Sequence, residues 1–128
     1  MAYQAGDGFS VIQVASYTLE EVFSAPRADK TRRVLPDGHT FRLSDRIRLF
    51  ATKGASCVTC GLTGSIFVLE TQQEGITPHL NLYAVTDEGK YILMTKDHIH
   101  PKSKGGANAL HNYNPMCSPC NGKKADKV

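Results

Sequence analysis

The chain has 128 residues, 41% of them hydrophobic and 21% charged, with a formal charge of +3. That length gives one domain with a modest core. No apolar run is long enough to span a bilayer. The opening "MAYQAGDGFS" has neither the basic end nor the apolar segment of a secretory signal, so a cytoplasmic protein without a membrane partner is expected.

The elements follow in chain order. "YTLEEVFSA" reads as a short helix, with Thr18 as N-cap and Glu21 completing a capping box. Tyr17 and Val22 can staple across that cap. "PRADKTRR" is a basic connector. "RVLPDGHTFRL" reads as two short extended pieces about a turn at Pro36-Asp37-Gly38. Ser44 caps the next helix, "DRIRLFATKG", which Gly54 ends. Arg42, Arg46 and Arg48 lie along it, and phosphate contacts or a solvated face both fit them. "SIFVLET", "HLNLYAV" and "KYILMTKDHI" read as three strands of an antiparallel meander. Leu80, Leu82 and Ala84 alternate onto one face of the second. "SPCNGKKADK" reads as a last helix with Ser118 at N-cap and Pro119 at N1. Gly122 opposes that helix by roughly 1 kcal/mol relative to Ala.

Charge is uneven along the chain. Residues 25–53 carry eight Lys or Arg against three Asp, and residues 96–128 carry six Lys against two Asp. The segments before and between them are acidic. Folded together, the two basic blocks can make a positive face suited to a phosphate backbone. A solvated surface is the alternative.

All four cysteines fall in two C-x-x-C pairs, Cys57/Cys60 and Cys117/Cys120. Without a secretory signal, a disulfide framework is not expected. Two such knuckles supply the four thiolates of a closed structural zinc site. Gly61 suits the first knuckle because a glycine tolerates positive φ there. Four thiolates with Zn²⁺ add −2, so nucleic-acid affinity must come from local clusters rather than net charge.

Asp97 and His98 stand together, followed by Pro101, "SKGG" and Asn112; Asn121 comes directly after Cys120, in "CNGKK". Asn112 lies 14 residues after His98, and Asn121 nine after Asn112. This pattern closely resembles the HNH endonuclease family over about residues 57–124, most densely over 97–124. The resemblance implies an α+β fold: a ββα-metal finger with a two-knuckle four-cysteine zinc site, an antiparallel hairpin or meander and short helices. It implies an HNH nuclease domain over 44–128, preceded by an extension, 1–43, of uncertain role. It further implies that Asp97 and Asn121 hold a catalytic Mg²⁺ or Mn²⁺. His98 would be the general base that activates water, and Asn112, carried on a second short strand, would fix the loop and the aim of His98. Many members carry His where this chain has Asn121; a neutral oxygen ligand favours Mg²⁺ over Zn²⁺. Members with "CN" beside a four-cysteine site form a branch frequent in phages.

The expected function is therefore metal-dependent hydrolysis of DNA phosphodiester bonds, with nicking, double-strand cleavage and resolution of branched DNA all open. Lys102, Lys104, Lys123, Lys124 and His100 are candidate nucleic-acid contacts. His39 and His79 read as structural or exposed, and His111 as having no direct role. The alternative function is a zinc-stabilised nucleic-acid-binding module without catalysis. Such a module has no use for a base beside two oxygen ligands. Cutting both strands needs two active sites or two visits, which leaves a homodimer and a nicking monomer both open.

Overall fold

Local signals govern the first half of the fold. The computed structural model describes residues 2–4 and 10–124. Strand β1 (Ala2–Gln4) pairs antiparallel with β2 (Ser10–Tyr17). Helix α1 (Leu19–Phe23) starts in the expected capping box: Thr18 Oγ1 accepts from Glu21 N at 3.0 Å, and Glu21 Oε1 accepts from Thr18 N at 2.9 Å. Tyr17 and Val22, on either side of that cap, are both buried in the core. Strands β3 (Arg32–Val34) and β4 (Thr40–Arg42) form the expected hairpin, and Gly38 in its turn takes φ +92°. Helix α2 (Asp45–Lys53) begins on Ser44, whose Oγ accepts from Ile47 N at 3.3 Å. It buries Ile47, Leu49 and Phe50, each worth roughly 1.5–3 kcal/mol of apolar transfer.

The meander forms as β5 (Ile66–Thr71), β6 (His79–Val85) and β7 (Tyr91–His98). Strand β8 (Tyr113–Cys117) and helix α3 (Ser118–Lys124) complete the chain's elements. One antiparallel sheet runs in the order β1-β2-β5-β6-β7-β8. The fold is thus mixed, with antiparallel sheets and few helices. Residues before 44 share its sheet and core, because β2 pairs with β5 and Tyr17, Leu35 and Phe41 join Phe67, Met94 and Met116 in one cluster.

β7 changes partner along its length. Tyr91–Leu93 pair with β6, and Met94–His98 pair with β8. The first half of β6 therefore lacks a neighbour on that side. Arg46 from α2 fills the gap, donating to Leu80 O at 2.9 Å and to Asn81 Oδ1 at 2.8 Å. Asn81 Nδ2 donates in turn to Glu70 Oε1 at 2.7 Å, and the Tyr83 hydroxyl donates to the same oxygen. Burial lowers the Arg46 pKa, and the nearby Tyr83 and Glu70 oppose that shift. Arg46 is thus engaged inside the fold. Tyr83 is buried on the face opposite Leu80, Leu82 and Ala84, so β6 is covered more fully than its alternation implies.

Two further details depart from expectation. Asn112 was expected on a strand; it instead closes a 3₁₀ turn (Leu110–Asn112), and β8 begins one residue later. Ser118 is the first residue of α3 rather than its cap, a shift within the usual latitude of helix ends. Among the described residues, no helix is long and apolar enough to cross a membrane.

Candidate active site and metal centre

The four cysteines converge. Cys57 and Cys60 lie in a tight loop after α2, where Gly61 N donates to Cys57 O at 2.9 Å and Gly61 takes φ +80°. Cys117 ends β8, and Cys120 lies in the first turn of α3. Their sulfurs all lie within 4.8 Å of one another, and Cys60 Sγ is 3.7 Å from Cys117 Sγ. A tetrahedron of sulfurs about 2.3 Å from a zinc ion has edges of about 3.8 Å. The donor set and its spacing therefore fit Zn²⁺. Burial works against the Cys57 thiolate, but backbone N–H groups of Cys60, Cys117 and Thr59 outweigh it and bring the pKa down to about 6. Cys120 is pushed up to about 12, first by its hydrogen bond with Cys117 and then by burial. Without a cation Cys120 keeps its proton, which a bound metal would displace.

The cysteine cluster lies next to a second centre. Asp97 and His98 end β7, opposite Asn114 and Tyr113 of β8. The Asp97 side chain is buried, and His98 sets its ring edge-on to Tyr113 with centroids 5.0 Å apart. From the neighbouring helix, Asn121 Nδ2 donates to Thr95 Oγ1 at 2.8 Å. Thr95 Oγ1 itself donates to Met116 O at 2.7 Å. The bond to Thr95 uses the nitrogen end of the Asn121 amide; the oxygen end is the one that suits a hard cation. Asp97, His98 and Asn121 all line one cleft of about 270 Å³, with Lys96, Pro101, Lys102 and Ser103.

The loop from Ile99 to Asn112 returns the chain to this cleft. Asn112 is buried beneath it and clamps it at three points. Its Oδ1 accepts from His100 N at 2.9 Å, and its Nδ2 donates to His100 O at 3.1 Å and to Ala107 O at 2.8 Å. The two glycines serve different needs. Gly105 takes φ +89°, a left-handed conformation that side chains disfavour. A Cβ on Gly106 would lie 1.8 Å from His100 O, so the backbones there approach too closely for any side chain.

Some expected residues have other partners in the structure. Lys124 Nζ pairs with Asp97 Oδ2 and donates to His98 O at 2.8 Å. Lys123 is exposed on α3, and Lys102 and Lys104 are exposed on the loop. The His100 ring nitrogen Nε2 lies 2.9 Å from Lys104 O, a contact within the loop itself. His39 pairs with Asp37, while His79 and His111 are exposed.

Two participants were not singled out by sequence, and a third, Lys124, was read as a nucleic-acid contact rather than as a partner of Asp97. Asn108 Oδ1 lies 2.8 Å from His98 Nε2. Nothing in the loop's pattern distinguishes it from its polar neighbours. Thr95 precedes Asp97 by two residues, the period that puts side chains on one strand face. Lys124 follows Asn121 by three, the spacing of neighbours on a helix. Both spacings were legible in principle.

Residues 88–128 match the family model of HNH endonucleases. The matched segment contains β7, the loop, β8 and α3, and so holds Asp97, His98, Asn112, Asn121 and the second cysteine pair. The resemblance read from the motifs is borne out over that segment; Cys57 and Cys60 lie outside it. Neither the curated proteins nor the solved structures give a match to this chain.

Proposed function

We propose that the protein is a metal-dependent endonuclease that hydrolyses DNA phosphodiester bonds, with β7, the loop, β8 and α3 acting as a ββα-metal finger. The observation that carries this reading is that Asp97, His98 and Asn121 line a single cleft. The family match over 88–128 supports it. A binding module would need the zinc and the lysines, but not a histidine beside two oxygen ligands.

The chemistry follows from the side chains. Asp97 and Asn121 would hold a Mg²⁺ or Mn²⁺, which would supply charge neutralisation at the scissile phosphate and at the departing 3′ oxygen. His98 takes a proton from the attacking water. Asn108 Oδ1 is an acceptor, so the Nε2 facing it carries the ring proton. That leaves the Nδ1 lone pair as the base. The water oxygen bonds to phosphorus, the 3′ oxygen leaves, and the phosphate remains on the 5′ end. Asn112 holds the loop that begins next to His98, which makes it a positioning residue. The four cysteines would hold Zn²⁺ in a structural role, tying the loop after α2 to the start of α3.

Nicking of supercoiled plasmid tests the reading. Zinc-loaded wild type and His98→Ala are compared with Mg²⁺, with Mn²⁺ and with no divalent cation added. The proposal expects nicking by wild type that requires the added cation and falls at least about 100-fold in the variant. Full activity in His98→Ala removes the base assignment. A folded wild type that cuts neither plasmid nor branched DNA with either cation returns the protein to the binding-module reading.

A further inference from the structure

A second basic surface leads into the proposed active-site cleft. The β3–β4 hairpin and the start of α2 face residues 77–80 and Lys96 across a groove of about 550 Å³. Lys30, Arg32, Arg42, Arg48 and Lys96 line it, and Asp45 is the one acid among the described lining residues. Arg32 is committed to the hairpin, donating to Thr40 Oγ1 and Thr40 O. Lys30, Arg42 and Arg48 are exposed, and among the described residues none of them forms an ion pair. Folding has therefore gathered like charges without neutralising them. Such charges repel one another, and a polyanion relieves that repulsion.

Lys96 joins this groove to the site. It lines both the groove and the cleft that holds Asp97, His98 and Asn121. Its ammonium lies 4.5 Å from the centre of the Tyr113 ring. A strand with one phosphate at His98 must continue past the cleft on either side. On the Lys96 side it meets the groove. Apart from Lys96, the groove's cations precede residue 88, so they lie outside the segment that matches the family.

We propose that this groove is the track for the phosphate backbone of substrate DNA leaving the cleft past Lys96, and that Lys30, Arg42 and Arg48 supply its phosphate contacts. The identity of the polymer rests on the nuclease reading above; the charge and the continuity are independent of it. The contacts expected of Arg42 and Arg48 are with phosphates, which position a duplex without reading its bases.

Binding of a labelled DNA duplex to the zinc-loaded full chain, measured by fluorescence anisotropy without Mg²⁺ or Mn²⁺ across a salt series, tests this. The groove variant is Arg42→Gln/Arg48→Gln. The control, Arg27→Gln/Lys90→Gln, removes the same charge from exposed positions outside the groove. Each lost phosphate contact lowers the magnitude of the slope of log K against log salt by about 0.9. The groove variant should therefore lose about 2 from the slope while the control keeps the wild-type value. Equal losses in both variants, or no loss in the groove variant, overturn the proposal. So does tighter binding of single-stranded RNA than of duplex DNA through the same two arginines. Hydrolysis of bis(p-nitrophenyl) phosphate by wild type, with Mn²⁺ present, reports on the cleft separately. Failure there counts against the nuclease reading, whereas the anisotropy series decides the groove.

Discussion

Replacing Asn112 by Ala removes three hydrogen bonds at once and leaves His100 N, His100 O and Ala107 O without the partner that spans them. Each such bond is worth about 1 kcal/mol net, so the loop should lose about 3 kcal/mol of local stability. At about 1.4 kcal/mol per factor of ten, the His100 amide should exchange about 100-fold faster. The effect should be local, since the core cluster lies elsewhere and does not include the loop. Hydrogen exchange followed by NMR reads it directly, with the β5 amides as an internal reference. Nicking should fall with it, because the loop begins one residue after His98, while zinc content should not change. Unchanged exchange at His100 in Asn112→Ala would refute the clamp, and unchanged nicking alongside faster exchange would refute its link to His98.

The other predictions concern the zinc, the glycines and the partner of His98. Cys57→Ser should lower zinc content by mass spectrometry and cost several kcal/mol in thermal stability, because the metal substitutes for core in so short a chain; unchanged content and melting would exclude the site. Gly106→Ala and Gly122→Ala should move thermal stability in opposite directions. The first drives a Cβ into the His100 backbone, whereas the second adds a methyl in open space on α3 and should gain about 0.5–1 kcal/mol. Asn108→Asp places a carboxylate against His98 Nε2 and favours the imidazolium. The acidic limb of the pH–rate profile should therefore move to higher pH, a change that a purely structural Asn108 would not produce.

Several features were legible because their causes are local. The capping box at Thr18, the cap at Ser44 and the turn at Pro36-Asp37-Gly38 each rest on a few adjacent residues. The cysteine cluster was legible because C-x-x-C spacing fixes each half of the site before the halves meet. What the sequence did not reveal depends on distant partners. "SVIQVASY" does not alternate cleanly, since a bulge between Gln13 and Ala15 breaks the period of two. Its role as β2 comes from pairing with β5, whose partners lie fifty or more residues on. Arg46 could be a surface cation or a buried one until β7 leaves β6 and exposes the Leu80 carbonyl to it. Asn112 was expected on a strand, yet the clamp geometry needs it at the end of a 3₁₀ turn, facing back under its own loop. Lys124 reads from sequence as a nucleic-acid contact, and only the packing of α3 against β7 sets it on Asp97.

The proposed mechanism requires a hard cation between Asp97 and Asn121, beside the His98 ring. Substoichiometric Mn²⁺ added to the zinc-loaded protein, with the imidazole signals followed by NMR, tests this without any substrate. His98 should broaden first, His39 and His79 should stay sharp, and Asp97→Ala should abolish the effect. Broadening that spares His98, or that persists unchanged in Asp97→Ala, would contradict the mechanism.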